Sequence, residues 1–575
     1  MRPLGVVLLL FAVQSARSAD IAGLAMKDHW VRIGNADFEL YSNAGESAAR
    51  SALEQLERVR GFFAKASPLP LIDEFPARII VFGSHDQLAQ FTPSGGQQAF
   101  FVASPKRDFI AMWAAPDQYR FAIHEYVHLI VRHSGLKLPT WLNEGWSEVY
   151  STMRPVGDGV AVGDLVDVRM NALKTEKWLP IETLTSIDSN SEHYRAGDST
   201  GLIFYAESWA LTHMLFLAPD YSDRFGKFVM AIHHGRTFDA ACQEAYGKSA
   251  AAVYADLETY FQRKKMFGRV FKAPLGKAGP AVEAKTIEPF ETRLVLTDLL
   301  AALGKKAEAE AEYKKLEGEQ PNRYEVSDSE GYLALAARDA NGARAAFERA
   351  FAANDPDPKM CLELAMLEEA AKQPLERATA PLERAVQLKP NYTEALLQLG
   401  LIQIAARQYE SALQSLLKID KVGPERATPV YAALAYGYFE TGDLARAAKD
   451  AATAKQYARS EVESQRLTAL LELIDARAKS PFPPQPGEKT QRVEGALRAI
   501  ECKPAGNRAA FSIGDKILIF ELPNPKAIEF DRAGTVSGPL NLTCGAQKPI
   551  WMTVEYAPAS VMDRASLGVI RKMEF

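Results

Sequence analysis

Between residues 19 and 275 the apolar positions recur with two different periods. In "DFELYSN" (37–43) apolar and polar residues alternate, the signature of a half-buried strand, and "ARIIVFGS" (77–84) is the unbroken apolar run of a strand covered on both faces. "SALEQLERVRGFFAKA" (51–66) instead repeats its apolar residues at helical spacing. "QAFFVAS" (98–104) and "DFIAMWA" (108–114), separated by the turn residues Ser104 and Pro105, predict a hairpin. Together these elements predict an α+β domain over 19–275, with a linker over 276–288.

The texture changes at Pro289. Alanine-rich helical segments repeat, and Pro321, Pro356, Pro390 and Pro424 follow one another at intervals of 35, 34 and 34 residues. A 34-residue period with paired amphipathic segments resembles the tetratricopeptide repeats. "YTEALLQLGLIQIAARQYESALQSLLKIDKVGP" fits that pattern, with Gly400 where one helix must let its partner approach and Ala412 at the crossing. The next unit follows through Tyr438, Gly442 and Ala447. An earlier unit has Ala343, Phe347 and Ala350 at matching offsets, but its first helix reads as short. About five units are expected between 289 and 478, forming an all-α solenoid whose concave face suits a protein partner, or which serves only as a spacer. "KSPFPPQPGEK" marks a stiff proline-rich linker over 479–490, and the strand-and-turn pattern of 491–575 predicts a small all-β domain, barrel or sandwich.

A chain of 575 residues exceeds one hydrophobic core, consistent with this multidomain division. Its 67 basic residues are balanced by 72 acidic ones without a dense Lys/Arg run, which argues against nucleic acid as a partner. Residues 1–18 place Arg2 before an apolar stretch from Leu4 to Val13 and end in small residues, the pattern of a signal peptide, so export to the periplasm or beyond is expected. No later segment is long and apolar enough to span a membrane. In an oxidising compartment Cys502 and Cys544, which fall in one small domain, either form a disulfide worth about 4 kcal/mol by loop entropy or remain two buried thiols.

One stretch carries chemistry. In "FAIHEYVHLIVRHSG" (121–135) His124 and His128 lie four apart, about 40° and 6 Å from each other on a helix that Asp117 caps and Gly135 ends. Both imidazoles can reach one ion, with Glu125 beside them. The alternative is an amphipathic helix with surface histidines, and a third ligand separates the two readings. "LPTWLNEGWSEVYS" supplies it: a second helix capped by Thr140 would return Glu144 to the level of the histidines and place Glu148 one turn on. A His, His, Glu set leaves one position open, as in a catalytic rather than a structural zinc site.

HExxH followed by "WLNEG" resembles the gluzincin metallopeptidases, and its nearest likeness is the exported peptidase-MA-like group, whose gluzincin domain is often followed by tetratricopeptide repeats. The resemblance is specific over about 120–152, with 15 residues between His128 and Glu144 where the aminopeptidases usually have 18. It implies a thermolysin-like domain and one Zn2+ bound by His124, His128 and Glu144. Glu125 is then the general base that takes a proton from the attacking water, and Glu148 orients a ligand histidine. The family also uses a tyrosine or histidine toward the oxyanion; Tyr194, Tyr205 and His213 are the candidates, and Tyr205 is the choice. His213 is expected to pack in its helix and His133 to complement a helix dipole. No Gly-x-Met-Glu-Asn segment is present, so an endopeptidase acting on peptides or proteins is expected over an aminopeptidase, with "FIAMW" as the edge along which substrate would add. The competing reading is a repeat-based protein-binding scaffold whose metallopeptidase domain is inactive or latent.

Overall fold

The structure, a computed structural model, describes residues 19–66, 75–92, 97–115, 119–191, 194, 199–262, 268–272, 283–420, 422–479, 488–503, 506–523, 529–531, 543–559 and 566–575. The expected signal peptide, the Asp117 cap and most of the proline-rich linker lie outside them. The chain forms two compact units, Met1–Ala353 and Asn354–Phe575.

In the first unit α1 (Ile21–Lys27) leads into β1 (Val31–Gly34), β2 (Phe38–Ser42), α2 (Glu46–Ala66), β3 (Ala77–Phe82), α3 (His85–Ala89), and the hairpin of β4 (Ala99–Val102) and β5 (Phe109–Trp113). α4 (Tyr119–His133) and α5 (Thr140–Ser151) carry the motif. A helical lobe follows: the strands β6 (Arg154–Val156) and β7 (Gly159–Val162), then α6 (Asp167–Thr175), α7 (Ile181–Ser186), α8 (Ser199–Leu217), α9 (Pro219–Ser222), α10 (Phe225–His233), α11 (Phe238–Tyr246) and α12 (Ala250–Gln262). β8 (Arg269–Phe271) pairs with β7, and β9 (Lys285–Thr286) adds to β1, giving a six-stranded sheet of order β4-β5-β3-β2-β1-β9. β2, β3 and β5 run parallel, and β4 folds back antiparallel on β5 as the hairpin pattern predicts.

β3 is apolar throughout because both faces of the sheet are covered. Ile79 and Val81 share a core with Phe38, Leu56, Phe62 and Ile130. Ile80 and Phe82 point the other way, into a core with Leu294, Leu296, Leu299 and Tyr313. Those last residues belong to α13 (Pro289–Ala302) and α14 (Lys306–Glu319), which with α15 (Tyr324–Ala336) and α16 (Ala340–Ala352) form two helix pairs of the first unit. Across the expected linker at 276–288, Lys285 and Thr286 pair with Arg32 and Val31, and α13, α14 and α15 add to the core on this face of the sheet. Buried charges fasten them. Arg78 reaches Asp298 (2.5 Å), and Lys106, in the β4–β5 turn, reaches Asp298 (3.1 Å), Asp328 (3.0 Å) and Ser329 (2.6 Å). Asp328 and Ser329 also explain why α15 is longer than its pattern suggests: they break the apolar periodicity because they are buried against an ammonium.

The second unit begins with α17 (Pro358–Ala370), α18 (Leu375–Leu388), α19 (Thr393–Ala405), α20 (Tyr409–Leu416), α21 (Pro424–Glu440), α22 (Leu444–Gln456) and α23 (Glu461–Ala478). A Cβ on Gly400 would lie 2.6 Å from Leu416, and Ala412 is fully buried, as the close crossing of α19 and α20 requires. The repeat period is written into the backbone. Each of the five helix pairs turns through one left-handed residue, Gly304 (φ 76°), Arg338 (61°), Lys372 (52°), Arg407 (58°) and Gly442 (83°). These are tetratricopeptide-like helical repeats, with five pairs among the described residues.

β10 (Gln491–Lys503), β11 (Gly506–Ile513), β12 (Lys516–Leu522), β13 (Glu529–Asp531), β14 (Gly545–Pro558) and β15 (Gly568–Glu574) form the last domain, of order β12-β11-β10-β14-β15-β13. β12 also pairs with β15, closing a barrel around Leu497, Phe511, Phe520, Val554 and Ile570. A disulfide joins Cys502 to Cys544, while Cys242 and Cys361 are buried free thiols. Among the described residues no helix is long and apolar enough to cross a membrane.

Candidate metal centre

α4 packs on the sheet beside β4 and β5 and turns off at Gly135, whose φ of 73° is the left-handed geometry that ends a helix. The next helix starts earlier than its threonine implies. Pro139, extended at φ −66° and ψ 156°, is the cap residue, and Thr140 is already helical, with no side-chain cap bond. α5 then runs back against α4 and α8. Its approach to α8 depends on Gly145, where a Cβ would lie 2.2 Å from both the Ser208 carbonyl oxygen and Thr212 Oγ1. The glycine of "WLNEG" thus lets the Glu144-bearing helix sit deep enough for its carboxylate to meet the histidines.

The three expected ligands converge. His124 Nε2 lies 3.0 Å from His128 Nε2 and 3.2 Å from Glu144 Oε2, and His128 Nε2 lies 3.5 Å from that oxygen. Four tetrahedral ligands at 2.0–2.1 Å from a zinc ion are about 3.3 Å apart, so this donor set fits zinc in chemistry and spacing. It is the only group of three or more metal-capable side chains among the described residues. Burial alone would push the Glu144 carboxyl up, but His128 and His124 pull it far below the usual carboxylate range. Burial lowers His128, and the facing Glu144 carboxylate more than reverses this, raising it to about 9.

The surrounding groups fix these side chains. Ser147 Oγ meets His128 Nδ1 at 3.2 Å, a contact that nothing in the sequence pattern marks. Glu148 lies behind His124 as expected, its Oε1 3.6 Å from Nδ1, an ion-pair distance rather than a hydrogen bond. Its carboxylate is held chiefly by Arg169 (2.7 Å) and Arg120 (2.8 Å). Tyr194 donates to Glu144 Oε1 at 3.0 Å. Tyr205, the expected oxyanion group, does not touch a ligand; its ring lies beside that of Tyr194, 6.1 Å between centres, and under the Arg169 guanidinium, 5.1 Å from the ring centre. His213 is a core residue bonded to Tyr260 and the Gly163 carbonyl, and His133 pairs with Asp108 at 2.8 Å.

Glu125 faces the edge of the sheet. Its Oε2 accepts the Phe101 amide at 2.9 Å, and burial raises its pKa. This corrects the expectation for "FIAMW": β5 is hydrogen-bonded on both sides, to β3 and β4, so the edge strand at the site is β4. Strand order follows from how the hairpin folds back, which the local pattern does not encode.

No family profile and no curated protein matches this chain. Solved structures of repeat proteins do resemble part of it. YrrB, described as a TPR protein with an unusual peptide-binding site, is 19% identical with a TM-score of 0.28, covering 31% of this chain and 90% of its own. The Pseudomonas aeruginosa protein pilF is 16% identical (TM-score 0.26, 32% of this chain, 86% of its own), and a thermophilic TPR protein of Thermus thermophilus is 23% identical (TM-score 0.21, 32% and 98%). With likenesses this partial, the reading of the repeats rests on the helix pairs themselves.

Proposed function

We propose that this chain is an exported zinc-dependent peptidase with a thermolysin-like catalytic domain, cleaving peptide bonds within polypeptides, with its repeat helices as a docking surface for substrate or a partner protein. The observation that carries this reading is the convergence of His124 Nε2, His128 Nε2 and Glu144 Oε2 within 3.5 Å of one another, with Glu125 on the same helix. A zinc ion held by these three residues supplies Lewis acidity toward a carbonyl oxygen and lowers the pKa of water.

The chain's own residues do the rest. Glu125, its carboxyl raised by burial, is a better proton acceptor than an exposed carboxylate and holds the proton at Oε1 or Oε2 until the leaving amine takes it. The Phe101 amide fixes Oε2 of that carboxylate at the edge of the sheet. Among the described residues no strand pairs with β4 on the side away from β5, so an extended peptide can add there as a further strand beside the amide that Glu125 accepts. Tyr205, kept protonated by burial and the nearby carboxylates of Glu144 and Glu125, is the proposed hydrogen-bond donor to the oxyanion.

The test is zinc content by elemental analysis together with hydrolysis of a quenched peptide library, for the wild type and Glu125→Gln. One zinc per chain in both, with cleavage reduced about 10²- to 10⁴-fold in the variant, supports the peptidase. A second reading, a protein-binding scaffold with a latent metal domain, draws on the exposed apolar side chains of the repeat helices, among them Met366, Leu375 and Leu401. Zinc without cleavage in the wild type favours that scaffold.

A further inference from the structure

We infer that Tyr194 is a positioning residue for the metal ligand Glu144 rather than a group that acts on substrate; this rests on the metal-centre reading above. The two oxygens of Glu144 face different partners: Oε2 meets His124 and His128, and Oε1 accepts the Tyr194 hydroxyl at 3.0 Å. A buried carboxylate with one unheld oxygen could rotate about its terminal torsion and offer the ion either oxygen or both. The tyrosine hydroxyl removes that freedom and commits a single oxygen to the histidine side.

The phenol is itself wedged. Its ring lies against Phe204 (6.0 Å between centres) and Tyr205 (6.1 Å). Arg169 covers Tyr205 and reaches through Glu148 to the far nitrogen of His124. Tyr194, Tyr205, Arg169 and Glu148 therefore form one bracket that touches the ligand set at both ends, at Glu144 and at His124. Outer groups of this kind typically change metal affinity 10- to 100-fold when removed.

The experiment compares full-length wild type, Tyr194→Phe and Tyr205→Phe, stripped of metal and titrated with zinc against a chromophoric chelator, with circular dichroism as the folding control. Phenylalanine keeps the ring packing and deletes only the hydroxyl. The expected result is a zinc Kd raised about 10- to 100-fold in Tyr194→Phe and less than about 3-fold in Tyr205→Phe. A Tyr194→Phe Kd within about 2-fold of wild type overturns the inference, as does a large kcat loss at unchanged affinity, which would put the hydroxyl on the substrate. Wild type that binds no zinc overturns the metal reading and this inference together.

Discussion

Gly145→Ala adds one methyl where α5 crosses α8, and the structure sets its size and direction. The new carbon would lie 2.2 Å from the Ser208 carbonyl oxygen and from Thr212 Oγ1, and 2.8 Å from the Ser208 carbonyl carbon. Ordinary contact is about 3.4 Å or more, so the helices must separate by about 1 Å, and the Ser208 backbone cannot rotate away as a side-chain tip could. Overpacking of this kind costs about 1–3 kcal/mol, with a backbone clash at the upper end, while alanine's helix propensity returns about 1 kcal/mol. The net expectation is a destabilisation of about 2 kcal/mol, a fall in Tm on the order of 4 °C for the first unit. Glu144 precedes the glycine on the same helix, so the ligand oxygen moves by a comparable distance and zinc affinity falls with it. Tryptophan fluorescence reports the event, because Trp141, Trp146 and Trp209 on these two helices are fully buried, each at most 1% exposed. Gly318→Ala is the control: it lies in α14, exposed, with open space where its Cβ would project and an ordinary φ, so it should be neutral or stabilising by up to about 1 kcal/mol. A Gly145→Ala protein as stable as Gly318→Ala, with unchanged zinc affinity, would refute the close-approach account.

Three further outcomes are expected. Asp298 is pushed up by burial but pulled below its ordinary value of 3.8 by Lys106 and Arg78, so its stabilisation is complete above that pH and is lost as the pH falls below it. Asp298→Asn should destabilise the first unit by about 3–5 kcal/mol at pH 7 and flatten the acid limb of its stability curve, measured by urea unfolding at several pH values. A fragment ending at 288 lacks the cover over Ile80, Phe82, Phe109 and Ala111 and should aggregate or be cut rapidly by protease, whereas one ending at Ala353 should resist; equal resistance would show that α13–α16 are dispensable. Reducing Cys502–Cys544, which are 42 residues apart, should cost the barrel about 4 kcal/mol by loop entropy and leave the Tm of the first unit unmoved in calorimetry.

The convergence of His124, His128 and Glu144 was legible because it rests on local periodicity: two histidines one turn apart, then a short connection that returns a second helix. The Gly400 crossing and the five-pair repeat were legible for the same reason. What the sequence hid depends on distant partners. Ser147 and Arg169 are ordinary helix residues until α4 and α6 are placed against α5, and Tyr194 gains a role only through a contact 50 residues away. The packing of the first repeat helices onto the sheet of the motif-bearing domain had a signal in the sequence. α13 is apolar on nearly every side, with Leu294, Val295, Leu296, Leu299 and Leu300 all buried, which marks a helix enclosed by a core rather than the first helix of a free-standing array.

Because Arg78 finds its partner Asp298 220 residues later, the order of synthesis matters. A growing chain exposes all three candidate ligands once Glu144 has been made, yet the second core against its sheet takes in residues as late as Leu333. At 5–20 residues per second that interval lasts roughly 10 to 40 s. For that time the polypeptide carries its proposed hydrolytic groups on an unfinished scaffold, and the last helices to arrive set the moment at which the proposed enzyme can begin to act.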